Sequence, residues 1–294
     1  MRLVARVPAT VANLGPGFDA FGLALALYNE ITVDMDADPS ITIEGEGAKE
    51  IPTDESNIVA QAMHTLAAAV DRSLPSLSIR CTNRIPLERG LGSSAAAAAG
   101  GVLLAQGVLG TSLPTLDLVR LAATQEGHAD NVGAAFLGGI AIVYETGQEE
   151  RVERLDPSSE LRPVVLIPER ERINTREARA VLPDDVARAD ATFNAAHAAL
   201  AVVALTSNPE LLEEALEDRL HQERRLELAP GARSLFGELK EQRVPVCVAG
   251  SGPTLLAFET EERPVPDPGA GWRALRLDVD REGAKMLEQG HFAG

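Results

Sequence analysis

The sequence predicts an α+β fold, in which strands and helices are mixed at irregular intervals rather than in regular strand–helix–strand units. Short alternating apolar runs occur in both halves of the chain, and an alanine-rich segment at 93–109 is typical of a closely packed helix. A polar, charged stretch at 146–163 separates the two halves. Because 294 residues exceed the usual size of one domain, we expect two domains, 1–150 and 151–294.

The elements of the first half follow from the spacing of apolar side chains. Alternation favours strands, and recurrence every three to four residues favours helices. In chain order, we expect strands within 1–7 and 31–45, a helix at 56–70, a strand at 77–82, helices at 93–109 and 116–125, and at 135–145 either a buried strand or a pair of strands interrupted by glycines.

The second half repeats the mixture of strands and helices. The same spacing rules apply, and glycine punctuates the last pair of strands. We expect a strand at 162–169, helices at 191–205 and 211–225, strands at 244–250 and 254–260 on either side of a glycine turn, and a short helix at 280–289.

Composition excludes several classes of protein. Lys and Arg number 27 against 44 Asp and Glu, a net charge of -17, which disfavours binding to nucleic acid or to anionic lipid. Cys81 and Cys247 are far apart and lack metal-ligand spacing, so we expect two reduced thiols in strands. The first ten residues lack the apolar stretch of a signal peptide. We therefore expect a cytoplasmic protein with no nucleic-acid or membrane partner.

A glycine-rich loop leads directly into the predicted helix at 93–109. Helix N-termini carry unpaired amides and a favourable dipole for anions, and the glycines permit close approach of a ligand to the backbone. The dipole alone contributes only about 0.3 to 1 kcal/mol, so several amides must converge on a bound phosphate. A glycine turn with a serine cap before a structural helix is the alternative. The candidate phosphate-binding residues are Pro86, Leu87, Glu88, Arg89, Gly90, Leu91, Gly92, Ser93, Ser94 and Ala95.

This loop fits neither of the two common phosphate-binding patterns. It has no lysine, which excludes GxxxxGK[ST], and its glycine spacing is not GxGxxG. The string PLERGLGSSAAAAAGG at 86–101 instead resembles the ATP-binding motif of the kinase superfamily of galactokinase, homoserine kinase, mevalonate kinase and phosphomevalonate kinase. The resemblance implies ATP and Mg²⁺ as cofactors. It also implies an N-terminal ribosomal-protein-like α/β domain that binds ATP at 1–150 and a C-terminal ferredoxin-like domain that contributes to the substrate site at 151–294.

Two further strings resemble the substrate motifs of homoserine kinases. PATVANLGPGFDAFGLAL at 8–25 places Asn13 and Asp19 around a Gly-Pro-Gly turn, where an Asx-capped turn is the alternative. EGHADNVGAAFLGG at 126–139 matches the HxDN motif. The resemblance implies that Asn13 and Asp19 contact an amino acid and that Asp130 and Asn131 lie near its hydroxyl. His128 alone is more often a structural hydrogen-bonding residue, and the pair Asp130 and Asn131 can equally cap a helix.

Two arginines match positions that bind the substrate carboxylate in homoserine kinases. Arg179 lies in TREAR at 175–179 and Arg225 in DRLHQERR at 218–225, although charge runs on helices are often solvated surfaces. The planar guanidinium suits a carboxylate because it forms two parallel hydrogen bonds. VAGSGPTLLAF at 248–258 resembles the third motif of the superfamily, with a plain hairpin as the alternative.

One position departs from the family pattern. In some members a Mg²⁺-binding glutamate precedes the HxDN motif by about two helical turns, and Arg120 stands at that offset here. The nearest carboxylate is Glu126, which we predict to serve the metal together with Ser94. The register of this carboxylate is left open by the sequence.

The resemblance implies transfer of the γ-phosphoryl group of ATP to the hydroxyl of L-homoserine, with Asp130 as the candidate catalytic residue. Phosphoryl transfer depends mainly on positioning and charge neutralisation, so a strong base is not required. A mevalonate-type kinase is an alternative, but its substrate lacks the ammonium group that Asp19 would pair. A non-catalytic protein that binds a nucleotide or metabolite is the other alternative. The family also implies a homodimer, for which the sequence shows no interface.

Overall fold

The computed structural model describes residues 1–147, 149–260 and 262–287. Among these residues, helices cover two β-sheets. The predicted α+β class is confirmed.

The first sheet has seven strands in the order β11-β1-β2-β4-β3, and β5 joins the start of β2 and is extended by β6. Only the pair β3–β4 is parallel; the other pairings are antiparallel. The strands are β1 (Arg2–Ala12), β2 (Phe21–Asp34), β3 (Ser40–Gly45), β4 (Ser78–Asn83), β5 (Ile140–Thr146), β6 (Glu149–Leu155) and β11 (Lys285–Leu287).

Four helices accompany this sheet: α1 (Ile58–Ala69), α2 (Ser93–Leu109), α3 (Thr115–Glu126) and α4 (Asp130–Leu137). The alanines of helix α2 are largely buried in the core. Gly101 lies so close to the carbonyl of Val59 in α1 that any side chain would overlap it. The predicted close packing of this helix is confirmed, because alanine and glycine let two helix backbones approach each other.

The second sheet has four antiparallel strands in the order β10-β7-β9-β8. Alternate residues of β7 face opposite sides: Val165 and Ile167 join the large core shared with the first sheet, and Val164 and Leu166 join a smaller core. The elements of this half are β7 (Pro163–Pro168), α5 (Thr175–Ala180), α6 (Arg188–Thr206), a 3₁₀ turn (Pro209–Leu211), α7 (Leu212–Ala215), α8 (Gln222–Leu226), α9 (Pro230–Glu241), β8 (Val246–Val248), β9 (Leu255–Phe258) and β10 (Trp272–Arg276).

Two sequence predictions were wrong about element type. The run 135–145 is not a strand pair, because its first residues complete α4 before Gly138 and Gly139, and only then does β5 begin. Short apolar runs have the same composition in buried helices and strands, so periodicity cannot separate them. Within the predicted helix at 280–289, Lys285–Leu287 instead form strand β11, because they pair with the open edge of β1. Residues 288 and 289 lie outside the described part of the chain.

The predicted helix at 211–225 is broken in two. Helix α7 ends at Ala215, and α8 starts at Gln222. The cause is Asp218, whose buried carboxylate accepts hydrogen bonds from the backbone amides of Leu220, His221 and Gln222. A carboxylate that caps backbone amides in this way starts a new helix instead of continuing the old one.

The predicted division at 150/151 falls inside β6, which pairs with β5 along its whole length. Residues beyond the second sheet also return to the first, through β11 and through Asp280, which binds the hydroxyl of Tyr28 at 2.8 Å. The sheets therefore separate after Leu155. The division into two domains stays a prediction.

Helix α6 is, among the described helices, the one long and apolar enough by length and composition to cross a membrane. Its Ala201, Ala204 and Leu205 pack in the large core, and its buried Asn194 bonds Asp218. These contacts place one face of the helix inside the folded chain. The expected cytoplasmic location stays a prediction.

Candidate active site

A cleft of about 530 Å³ is lined by residues of the first sheet and its loops and by helix and loop residues of the second half of the chain. Such a volume is typical of small-molecule sites. It is lined by the glycine-rich loop, the turn after β1, the start of α4 and two arginines from the second half of the chain. Of the predicted site residues, the structure brings together along this cleft Asn13, Asp19, Pro86, Leu87, Glu88, Arg89, Gly90, Leu91, Gly92, Ser93, Ser94, Glu126, Asp130, Asn131, Arg179 and Arg225.

Ala95 is the one predicted residue that does not line the cleft. Its side chain is completely buried in the hydrophobic core beneath α2. Helical geometry explains this placement. Successive residues of a helix point to different sides, so some side chains of the first turn face the cleft and others face the core. Ala95 as a phosphate-binding residue stays a prediction.

The glycine-rich loop delivers the N-terminus of α2 to the cleft without a side-chain cap. Gly92 is the N-cap residue in a left-handed conformation, with φ of 67°, and no side chain caps the helix. Ser93 and Ser94 are therefore the first helical residues, and a serine N-cap, the alternative from sequence, is not observed. The first amides of a 17-residue helix are left to face a ligand.

Gly90 holds the loop against the turn that follows β8. It has φ of 71°, and a Cβ at this position would overlap the carbonyl oxygen of Ala249. Gly250 in turn packs on the carbonyl of Gly90. Only glycine satisfies both the backbone conformation and the space. The third sequence motif, at 248–258, therefore packs directly against the loop.

Arg89 anchors the loop to the second sheet. The side chain is almost fully buried, and its Nε and Nη2 donate to the carbonyl oxygens of Pro168 and Glu169, at 3.1 Å each. Its Nη1 is buried without a hydrogen-bond partner among the described residues, and burial lowers the pKa of Arg89. This arginine positions the loop through backbone contacts.

Ser94 and Glu126 meet at the start of α2 and the end of α3. The hydroxyl of Ser94 donates to a carboxylate oxygen of Glu126, and burial raises the pKa of that carboxyl group. Arg120 instead lies near β6, where its guanidinium donates to the carbonyl of Glu150 at 2.9 Å. Within the described residues, no cluster of three or more His, Cys, Asp or Glu side chains has metal-binding geometry. The hydroxyl of Ser94 and the carboxylate of Glu126 are therefore the oxygen ligands that this part of the cleft offers to a metal ion.

The HxDN motif begins α4. Asp130 is 1% exposed, and its Oδ1 lies 2.9 Å from Nδ1 of His128 and accepts the backbone amide of Asn131 at 2.7 Å. The hydrogen bond to Asp130 raises the pKa of His128. Thr10 of β1 donates to Oδ1 of Asn131 at 2.8 Å. Asp130 is the first residue of α4 after the N-cap Ala129, and no side-chain cap is observed among the described residues. The motif lines the cleft, and its role near a substrate hydroxyl stays a prediction.

Asn13 and Asp19 occupy the turn after β1, both with positive φ. Nδ2 of Asn13 donates to the carbonyl of Gly250 at 2.8 Å, and its Oδ1 accepts the amide of Asp19 at 3.0 Å. Asp19 forms a bidentate pair with Arg179, at 2.8 and 2.9 Å. The side chain of Asn13 is thus occupied by backbone groups, and it holds Asp19 in place.

Arg225 is a buried cation, and no carboxylate of the described residues contacts it. Its Nη1 donates to the carbonyl of Gly250 at 2.7 Å and lies 3.3 Å from Nδ1 of His221, and its Nε contacts the carbonyl of Ala178 at 3.5 Å. Burial lowers the pKa of Arg225 to about 10. The ring of Phe18 lies 5.2 Å from this guanidinium. A buried positive charge with neutral partners favours an anionic ligand.

Sequence reasoning missed the apolar end of the cleft. Ile51, Pro52 and Ile58 line it together with the buried thiol of Cys81. These residues come from separate segments whose apolar side chains read as ordinary core. No sequence signal identified them.

Comparisons with known proteins agree with this geometry. Residues 57–139 match the family model described as the GHMP kinases N terminal domain. The chain is 43% identical over 289 residues to a homoserine kinase of Streptomyces avermitilis, covering 96% of this chain and 94% of the relative. It is 42% identical over 303 residues to a homoserine kinase of Clavibacter michiganensis, covering 97% and 94%.

Solved structures give the same result. The homoserine kinase from Cytophaga hutchinsonii has a TM-score of 0.85 at 25% identity over 97% of each chain. A mevalonate kinase structure has a TM-score of 0.66 at 13% identity, over 95% of this chain and 100% of the other. At that identity, the second likeness shows the fold alone.

Proposed function

The chain belongs to the homoserine kinase family, and we propose how the residues of its cleft share the work of that family's reaction. The reaction transfers the γ-phosphoryl group of ATP to the hydroxyl of L-homoserine, which gives O-phospho-L-homoserine in threonine biosynthesis. The chain is an ATP-dependent phosphotransferase that acts on a small molecule. The curated relatives support neither the mevalonate-type kinase nor the non-catalytic binding protein.

The triphosphate binds the loop 86–94 at the N-terminus of α2. The observation that carries this assignment is the uncapped helix start at Gly92, whose amides have no side-chain partner and open on the cleft. A formal charge of -17 makes such a local anion site necessary, because the protein as a whole repels a polyanion. The adenine lies at the apolar end beside Ile51, Ile58 and Leu87.

Ser94 and Glu126 would hold Mg²⁺. Their hydroxyl and carboxylate oxygens fit its preference for hard oxygen ligands, with phosphate oxygens and water completing the set. The hydrogen bond between them places both donors at one point of the cleft, beside the helix start. When bound, the ion neutralises charge on the transferred phosphoryl group.

The amino acid binds where Asp19, Arg179 and Arg225 converge. Its ammonium group pairs with Asp19 and its carboxylate with the two guanidinium groups. Without substrate, Asp19 and Arg179 neutralise each other, so the zwitterion inserts into an existing ion pair and every charge keeps an opposite partner. Asn13 acts indirectly by fixing the backbone of Asp19.

Asp130 orients the substrate hydroxyl or accepts its proton. One carboxylate oxygen is occupied by His128 and the Asn131 amide, so the other oxygen is available to a ligand. Asp130 lies at the start of α4, near the N-terminus of α2 that we assign to the phosphates. This position favours in-line transfer.

Turnover with a panel of alcohols tests the function. The purified chain with Mg-ATP is expected to release ADP with L-homoserine and not with mevalonate or galactose, and ³¹P NMR identifies O-phosphohomoserine as the product. Release of ADP with mevalonate alone would point to the isoprenoid kinase, and no turnover with any alcohol would point to a binding protein.

The domain architecture and assembly are further parts of the proposal. The first sheet with α1–α4 corresponds to the ribosomal-protein-like domain, and the four-stranded second sheet with α5–α9 to the ferredoxin-like domain. The sheet pairing supports a boundary at 156–162, with β11 returning to the first domain. A homodimer stays a prediction.

A further inference from the structure

His221 is completely buried beside Arg225, and its two ring nitrogens have fixed roles. Nε2 lies 2.8 Å from the carbonyl oxygen of Gly15, and Nδ1 lies 3.3 Å from Nη1 of Arg225. A carbonyl oxygen only accepts and a guanidinium only donates. One tautomer alone satisfies both neighbours, with the proton on Nε2 and the lone pair of Nδ1 aimed at Arg225.

We infer that His221 is a positioning residue for the reaction: it acts as a neutral acceptor that aims the guanidinium of Arg225 at the substrate carboxylate. This inference rests on the proposed role of Arg225 in the amino-acid site. It concerns a residue that makes no direct contact with substrate and works through the arginine one helical turn later.

Three neutral acceptors surround Arg225: Nδ1 of His221 and the carbonyl oxygens of Gly250 and Ala178. They engage Nη1 and Nε, while Nη2 makes no hydrogen bond within the described residues and the side chain lines the cleft. A carboxylate at the position of His221 would neutralise the guanidinium and remove its attraction for substrate. A neutral acceptor orients the cation and leaves its charge available.

The surroundings keep His221 neutral. Burial lowers its pKa to about 4. Asp218, the carboxylate closest to it, lies 3.8 Å from Nε2 and is already saturated by three backbone amides and Asn194. The ring of Phe18 covers the imidazole at a centroid distance of 5.3 Å. The histidine is therefore held in one orientation from several sides.

Two substitutions separate the contacts of His221. In His221→Asn the side-chain oxygen takes the place of Nδ1 and keeps the contact with Arg225, while the contact with Gly15 is lost. In His221→Gln the side-chain amide takes the place of Nε2 and keeps the contact with Gly15, while Arg225 loses its acceptor. His197→Gln, in α6 away from the cleft, is the matched control.

The kinetic constants of these variants test the inference. For His221→Gln we expect the KM for homoserine to rise about tenfold, as for loss of one hydrogen bond to a charged group, with the KM for ATP and the kcat at saturating homoserine unchanged. For His221→Asn the homoserine KM is expected to stay within about threefold of the parent. Equal values in the two variants, or a parallel rise in the KM for ATP, overturn the inference.

Arg225→Met separates failure of the inference from failure of the proposed function. A large rise in the homoserine KM supports the carboxylate site, and in that case equal His221 variants overturn the positioning role alone. An unchanged homoserine KM in Arg225→Met refutes the carboxylate site and the positioning role together. Melting temperatures of all variants with ATP bound identify any that fail to fold, and His221→Asn then serves as the folded reference.

Discussion

Gly90 of the phosphate loop lies against the carbonyl oxygen of Ala249, with no room between them for a side chain. The contact ties the loop that we assign to ATP to the turn of the second sheet. It also places that loop beside Gly250, whose carbonyl oxygen accepts hydrogen bonds from the side chains of both Asn13 and Arg225. The proposed nucleotide and amino-acid sites therefore share one backbone junction.

Gly90→Ala is expected to raise the KM for ATP by about 100-fold or more, because the new methyl group pushes the loop off Ala249 and moves the amides away from the phosphates. Gly237→Ala is the control: this glycine lies in α9 with nothing within 4 Å of its missing side chain. Steady-state kinetics with varied ATP measure the effect. An unchanged ATP constant in Gly90→Ala would refute the placement of the triphosphate.

Glu126→Gln is expected to raise the Mg²⁺ concentration needed for half-maximal activity and to lower kcat by about 100-fold, the scale of losing one charge-stabilising group. Ser94→Ala should act in the same direction with a smaller effect. Activity is titrated against free Mg²⁺ at fixed ATP. Glu153→Gln, an exposed carboxylate of β6, should match the parent enzyme. A parent-like Mg²⁺ curve for Glu126→Gln would exclude this residue from the metal site.

Asp19→Asn is expected to raise the KM for homoserine by about 10- to 100-fold, since the ammonium group loses its carboxylate. The KM for ATP should not change. Asp190→Asn provides a matched control because Asp190 also pairs with an arginine, Arg219, but outside this cleft. Equal effects on both substrates would argue that the Asp19–Arg179 pair has only a structural role.

Asp130→Asn is expected to lower kcat by about 100-fold or more, because an amide can neither accept the hydroxyl proton nor orient it as a carboxylate does. Calorimetric binding of homoserine should be retained. Turnover equal to that of the parent enzyme would remove Asp130 from the catalytic role. Loss of homoserine binding would make it a substrate ligand only.

Because of His221, the free energy of unfolding is expected to fall as the pH drops from about 6.5 towards 4. In the unfolded chain this imidazole binds a proton near its ordinary pKa of about 6.5, whereas in the folded chain burial lowers its pKa to about 4. Between these values the unfolded state binds more protons, so acid favours unfolding.

Denaturant unfolding at several pH values, compared with His221→Asn, isolates this contribution from that of the carboxyl groups. The variant lacks the imidazole and should show a shallower dependence on pH across the same window. Parallel curves for the two proteins would mean that folding does not lower the pKa of His221.

The amino-acid sequence determined the local elements and the identity of the motifs. Helix α2 occurs at the predicted residues 93–109, because small apolar residues after a glycine-rich loop leave few alternatives. The glycine loop was predicted from residue type and spacing, whereas the HxDN motif and the two arginines were identified by their resemblance to homoserine kinases. These features depend on interactions within a few residues, which sequence patterns express directly.

The tertiary structure decided what depends on residues far apart in the chain. The Ser94–Glu126 contact joins residues 32 positions apart and supports the proposal for the metal-binding carboxylate, and the Asp19–Arg179 pair spans 160 residues. The neutral form of His221 follows from burial beside Arg225, and strand β11 follows from a free edge of β1. Such contacts are set by how sheets and helices pack, and no local pattern encodes that packing.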